Sequence, residues 1–425
     1  MRWRGELDRL AQELKTHAPD AVLRHAAGQG SAHRNALATA HQQWTDLLQR
    51  MIALQEELDW ECYRIYGLLE GSSQREEALT FFDDGKNEPL DLGCYEGLPP
   101  LRLGERAFEI VLAREQARGE AQTAWFERNA STPITELPAR WPAAYCGLVE
   151  RRLALIARDR NIALIEQPEY KRRWNTKPWD KQQDRALRQW LLKRLEGCFF
   201  EGDGVGRLED GFSPAAHGFR AATQPALIST NQLAELVQAD AAFLKVAEVY
   251  VGAAGFSVPK LVRELVDSES VPFLPFQRHK ESGLRKRQGW ERTWELQREE
   301  DRQAELNCEK VKTSNGATDL TIQRHRSRCR RSMRARISRR PRSGACAASW
   351  TCPRSAWISY PGTEREGDPS PVIAWAGWNH LQQAQALAEY YITAKDTWGW
   401  SPERLTLLLA GLADLLLWRY MSAYQ

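Results

Sequence analysis

A chain of 425 residues has room for two to four domains, and at 42% hydrophobic it can bury a real core. Its net charge of +3 hides an asymmetry: residues 324–355 hold eleven arginines, no lysine and no acid, and taking them from the 59 basic residues leaves 48 against 56 acidic ones. No apolar run reaches the ~20 residues of a membrane span, and the start MRWRGELDRLAQEL lacks a signal peptide's apolar segment, so a cytoplasmic chain with no membrane contact is expected.

Tryptophan is abundant at 17 residues, against 4 methionines. Of the eight cysteines, Cys62, Cys94, Cys146 and Cys198 are widely scattered and no CxxC pair occurs. That pattern reads as reduced thiols rather than disulfides or metal ligands.

In chain order, residues 5–17 predict a short amphipathic helix carrying Leu7, Leu10 and Leu14. Residues 36–70 predict one long helix. Trp44, Leu47, Leu48, Met51, Leu54, Leu58, Cys62, Ile65 and Leu69 recur at steps of three and four. Gly67 falls near its end and Gly71-Ser72-Ser73 breaks it. The two helices read as a hairpin, either a plain core bundle or a spacer arm between working parts.

Residues 72–142 are rich in Gly and Pro and read as irregular, with one helix near 104–119. Helices are expected at 143–160 and 180–197. Between them IALIEQPEYKRRWNTKPW is an apolar run followed by a basic, aromatic loop. Residues 229–251 predict a helix, as do 257–266, begun at Ser257 before Pro259. Charged helix follows at 284–306. Two last helices are expected at 378–396 and 402–418, the second capped by Ser401 with Pro402 at its first position. Short strands are expected near 108–112 and 162–166, and there is no internal repeat.

The expected fold is mainly α with irregular and minor β segments. A helical spacer at 1–71 precedes an α-rich accessory domain at 72–310. An out-of-frame, disordered segment is expected at 311–356, and a helical segment at 357–425 is expected to pack on the accessory domain.

Candidate chemistry is thin. A methyl-donor site needs a Gly-rich turn after a strand, and amino-methylation a polar-Pro-Pro-aromatic loop. LDLGCYEGLPP (90–100) and EQPEY (166–170) approach these and read better as loops. Asp159 with Glu169-Tyr170-Lys171 has the letters of a metal-dependent nuclease, but Pro168 interrupts the strand that would carry them. His325, Cys329, Cys346 and Cys352 match no zinc spacing. No catalytic, cofactor-binding or metal-ligating residue is therefore assigned. The loop Lys171-Arg172-Arg173-Trp174 with Lys177 is the best candidate for contact with double-stranded DNA, since cations neutralise phosphates and rings stack on bases. It also reads as a solvated loop whose tryptophans dock into the core.

The arginine tract fits no helical or strand period. GC-rich coding DNA translated off-frame yields this composition. Shifted by one nucleotide, Ser349–Ser355 permits Lys-Leu-Asp-Val-Pro-Lys-Glu. Residues 330–338, RRSMRARIS, permit Pro-Pro-Lys-Tyr-Ala-Ser-Ala-Asp-Phe.

The text that resumes as WISYPGTEREGDPSPVIAWAGWNHLQQAQALAEYY (357–391) resembles the C-terminal region of PglX, the family of adenine-specific DNA methyltransferases of type 2 BREX (phage growth limitation) systems. LQEELDWECYRIYGLLE (54–70), GERAFEIVLAR (104–114), TAWFERNASTPITELPARWP (123–142), ERRLALIARDRNIALIEQPEYKRRW (150–174) and WSPERLTLLLAGL (400–412) carry the same resemblance. In that family the stretch before 357 reads much like GKLDVPKER, as the shifted frame offers.

The resemblance implies that the intact enzyme moves a methyl group from S-adenosylmethionine to the exocyclic amine of adenine in DNA, working with other BREX proteins. It also implies that the donor-binding and Asn-Pro-Pro-Tyr motifs precede the part present here, so that this chain is a fragment without methyltransferase activity of its own. LDWECYRIYGL resembles an element that ends target-recognition helices in related enzymes. LADLLLWRYMSAYQ drifts from the family's text. A non-enzymatic interaction scaffold and a functionless gene remnant are the competing readings.

Overall fold

The computed structural model describes residues 2–26, 33–69, 98–199, 212–273, 280–315 and 355–423. The chain divides into two compact units, Met1–Leu187 and Arg188–Gln425. In both, helices predominate among the described residues, and one small four-stranded sheet lies in the second.

The first unit contains α1 (Arg2–Thr16), α2 (Pro19–Ala26), α3 (His33–Ile65), α4 (Ala107–Arg118), α5 (Trp125–Asn129), α6 (Ala143–Arg158), α7 (Arg160–Ile165) and the start of α8 (Trp179–Gly197). α1 and α2 pack along α3. Leu7 and Leu10 share one core with Trp44, Leu47, Leu48 and Met51 of α3, and with Leu148, Val149 and Leu153 of α6. This is the apolar stripe that the period of three and four announces.

The long helix stops earlier than its apolar pattern suggests. Gly67 takes φ 69°, and the N–H of Leu68 turns back to the carbonyl of Tyr63 at 2.9 Å. A left-handed residue here closes the helix, and glycine adopts it without a Cβ clash. Leu69 is buried all the same, so its place in the pattern reflects the chain folding back.

The strands expected near 108–112 and 162–166 are corrected: both stretches are helical, as α4 and α7. Ala107, Phe108, Glu109 and Ile110 are buried in succession. A short helix enclosed on most sides loses its one-sided period and reads like a buried strand. α7 is set by Asp159, whose carboxylate accepts from the N–H groups of Asn161 and Ile162 at 2.8 and 3.0 Å.

The second unit holds α9 (Arg220–Thr223), β1 (Ile228–Ser229), α10 (Thr230–Gln238), α11 (Ala241–Val251), α12 (Val258–Ser268), β2 (Ser270–Pro272), α13 (Glu281–Asn315), β3 (Trp357–Ser359), β4 (Val372–Trp375), α14 (His380–Asp396) and α15 (Pro402–Ala423). The helix expected over 229–251 is two helices. Asp240 ends the first and caps the second, accepting from Ala242 and Phe243 at 3.0 and 3.1 Å.

The sheet order is β1-β4-β3-β2. β1 pairs antiparallel to β4 through Ile228 and Ile373, β4 antiparallel to β3 through Ala374 and Ile358, and β3 parallel to β2 through Ile358 and Val271. All four residues of β4 are buried. Residues 228–272 and 357–375 thus share one sheet. Backbone pairing joins 357–375 to 228–272, and residues 1–69 and 98–187 fall in one unit. α13 continues to Asn315. The rest of the expected 311–356 segment, apart from 355 and 356, lies outside the described residues.

Candidate nucleic-acid interface and the ion network beneath it

The segment QEELDWECY of α3 carries an acidic and aromatic stripe at helical spacing. Glu56, Asp59, Trp60 and Tyr63 recur at steps of three and four, which places them on one face. Glu56 and Trp60 on this face, and Glu57 next to it, are at most 1% exposed, while Asp59 and Tyr63 are half-buried. Three cations make this burial tolerable.

Arg106, at the entry to α4, donates from Nε to Glu56 at 2.9 Å and from Nη2 to Asp59 at 2.6 Å. Lys171 donates to Asp59 at 3.2 Å, to the hydroxyl of Tyr63 at 2.6 Å, and to Glu166. Tyr63 donates to Glu166 at 2.6 Å. On the other side of α3, Arg152 of α6 grips Glu57 with two bonds of 2.9 Å, both side chains fully buried. Its guanidinium lies 5.0 Å from the Trp60 ring.

The charges shift one another. Burial pushes the Glu56 carboxyl up, but Arg106, Lys171 and Arg152 outweigh it, and the pKa falls to about 2. Glu166 goes the other way: burial raises it and the charge of Glu56 adds to that, with Lys171 opposing. Burial, then the charge of Glu166, pushes the Tyr63 phenol up. Glu109 is raised by burial although it accepts from Trp125 Nε1 at 3.0 Å and from the Gly104 N–H at 2.9 Å.

Among the described residues this network offers no open nucleophile or base. Glu56, Glu57, Arg106, Arg152, Glu166 and Lys171 have side chains at most 2% exposed. What it does is fix the chain above it. Lys171 is pinned from inside, and Arg106 donates from Nη1 to the carbonyl of the next residue, Arg172, at 3.2 Å.

The five sequence-picked residues are therefore divided. Lys171 is turned inward among carboxylates, where a phosphate cannot reach it. Trp174 is buried at 8%, and Trp179 beyond it stacks on His41 at 4.7 Å. Arg172, Arg173 and Lys177 are exposed. The Arg172 guanidinium carbon lies over the Trp174 ring, 4.4 Å from its centroid. Sequence reasoning missed the network itself. Its available signal was the run Glu56-Glu57-Leu58-Asp59 inside a strongly apolar helix.

The other candidates separate. Asp159 is spent as a helix cap, Glu169 is exposed and Lys171 buried, so no nuclease triad forms. EQPEY is a helix end followed by the 3₁₀ turn Pro168–Tyr170, with Glu166 committed to Lys171. It does not fit S-adenosylmethionine, and no methyl-transfer step is assigned to it. Residues 90–97 of LDLGCYEGLPP, and His325, Cys329, Cys346 and Cys352, lie outside the described residues. Among the described residues no group of three or more His, Cys, Asp or Glu could hold a metal ion. No described helix is long and apolar enough to cross a membrane.

This fold, and the loop it holds, belong to a recognised class: the chain is a member of the family described as domain of unknown function DUF7008, whose pattern matches residues 51–422. It is similar to the adenine-specific methyltransferase PglX of Streptomyces coelicolor (strain ATCC BAA-471 / A3(2) / M145), with 37% identity over 419 residues. The match covers 97% of this chain and 30% of that relative, so the chain spans under a third of the relative's length. No solved structure matches it.

Proposed function

We propose that this chain is the DNA-positioning accessory part of an adenine-specific DNA methyltransferase of a cytoplasmic BREX phage-defence system, and that it transfers no methyl group by itself. The identity to PglX along 97% of the chain carries the reading. The exposed Arg172, Arg173 and Lys177, held over a rigid buried network, support contact with the phosphate backbone. The intact enzyme would take its methyl group from S-adenosylmethionine bound elsewhere, and its further partners would be other BREX proteins.

The test is the charge reversal Arg172→Glu, Arg173→Glu and Lys177→Glu, measured by duplex-DNA binding across salt concentrations. Each lost phosphate contact should flatten the slope of log K against log salt by about 0.9. The purified chain with S-adenosylmethionine and duplex DNA should give no methyladenine; clear methylation would reverse the proposal. The second reading is a protein-interaction scaffold. It is favoured by Leu409 and Leu416, seven residues apart on α15 and 46% and 56% exposed. Unchanged DNA affinity and salt slope in the triple variant would select it.

A further inference from the structure

Beside the basic loop stands a second kind of side chain that charge alone does not explain. Tyr170 and Tyr66 are 67% and 76% exposed, and both are carried by segments fixed to the same point. Lys171 is held inward by Asp59, Tyr63 and Glu166, and its backbone is extended, with φ −94° and ψ 143°. In an extended chain successive side chains take opposite sides. With Lys171 inside, Tyr170 and Arg172 therefore stand outside together.

Tyr66 comes from the end of α3. Its N–H donates to the carbonyl of Cys62 at 2.9 Å, so the helical turn reaches it and sets it three positions beyond Tyr63, on the same side. Tyr63 is the residue whose hydroxyl meets Lys171 at 2.6 Å. That bond thus joins the two segments that present the exposed rings. Ile65 and Leu164, 60% and 51% exposed in α3 and α7, widen the apolar surface around them.

The charge of this edge is positive. Within residues 169–180 the exposed cations are Arg172, Arg173 and Lys177, against the exposed acids Glu169 and Asp180. Cations that follow phosphates and rings that stack on bases are the two halves of a surface for unpaired nucleotides. A duplex offers such rings little, because its bases are already stacked on one another. Resting on the reading that this loop meets DNA, we infer that it binds DNA with a locally unpaired stretch, Arg172 and Arg173 taking phosphates and Tyr170 and Tyr66 stacking on bases. The preference comes from the rings and is separate from the salt-dependent contact of the cations.

Fluorescence anisotropy of the full chain with a labelled duplex, and with the same duplex carrying a bubble of about six mismatched pairs, tests it. The bubble should bind at least about fivefold more tightly. Tyr170→Ala should remove most of that preference and Tyr66→Ala part of it, while Tyr170→Phe, which keeps the ring, should retain it. The salt slope should keep its value in the tyrosine variants, since no ionic contact is lost. Equal affinity for the two DNAs overturns the proposal and leaves the DNA reading standing. A preference that survives in the Tyr66→Ala, Tyr170→Ala double variant overturns it as well. Binding to neither DNA overturns both.

Discussion

At the scale of single residues, the Glu57–Arg152 pair shows what the buried network contributes. Both side chains are fully buried and joined by two 2.9 Å bonds, yet the guanidinium Nε has no partner among the described residues. Two charges taken from water lose much of what their attraction returns. Removing one partner is different, because the other charge stays buried and alone. Arg152→Met is thus expected to cost about 3–5 kcal/mol in denaturant unfolding. Glu57→Leu with Arg152→Met should recover most of that loss. A double variant as unstable as the single one would show that the ion pair itself is a net source of stability. The same logic explains why Lys171 is not a surface residue. Asp59, Tyr63 and Glu166 accept its hydrogen bonds only if it points inward.

At the scale of elements, the turn into α4 sets where Arg106 stands. Gly104 takes φ 95°, and a Cβ there would lie 2.3 Å from the carbonyl oxygen of Thr132. Its N–H is bound by Glu109. Gly104→Ala must move one of two backbones and occupy a left-handed conformation. A loss of about 2 kcal/mol or more is expected, read as a lower midpoint of thermal unfolding. An unchanged midpoint would mean that the turn relaxes freely.

Elements also show what the sequence can and cannot announce. α3 and α12 bury one face each, and their apolar period declares them. The enclosed α4 and α7 bury residues in succession and imitate strands. The real strands run two to four residues, too short for any alternation to register. The basic loop was visible because its charges are adjacent in the chain. The network below it was not, since Asp59 meets Arg106 and Lys171 across 47 and 112 positions, and nothing local marks such a pairing.

At the scale of the whole molecule, the second unit depends on a late segment of chain. Its sheet takes both outer strands from 228–229 and 270–272, and both central ones from 357–375. Trp357 and Ile373 are fully buried there. The backbone register is kept on both sides of residues 316–354, where the reading frame is in question. If those residues were translated out of frame, their side chains had no part in shaping this core. Exchanging 316–354 for a Gly/Ser linker of equal length should then leave unfolding stability within about 1 kcal/mol, because closure of an equally long loop costs nearly the same. Deleting 357–425 should instead abolish the cooperative transition of the second unit, since the outer strands lose the neighbours they have in the sheet among the described residues. A linker variant several kcal/mol less stable than the parent would show that the arginine-rich residues pack against the core. The frame-shift reading would then have to be given up, whatever their codons permit.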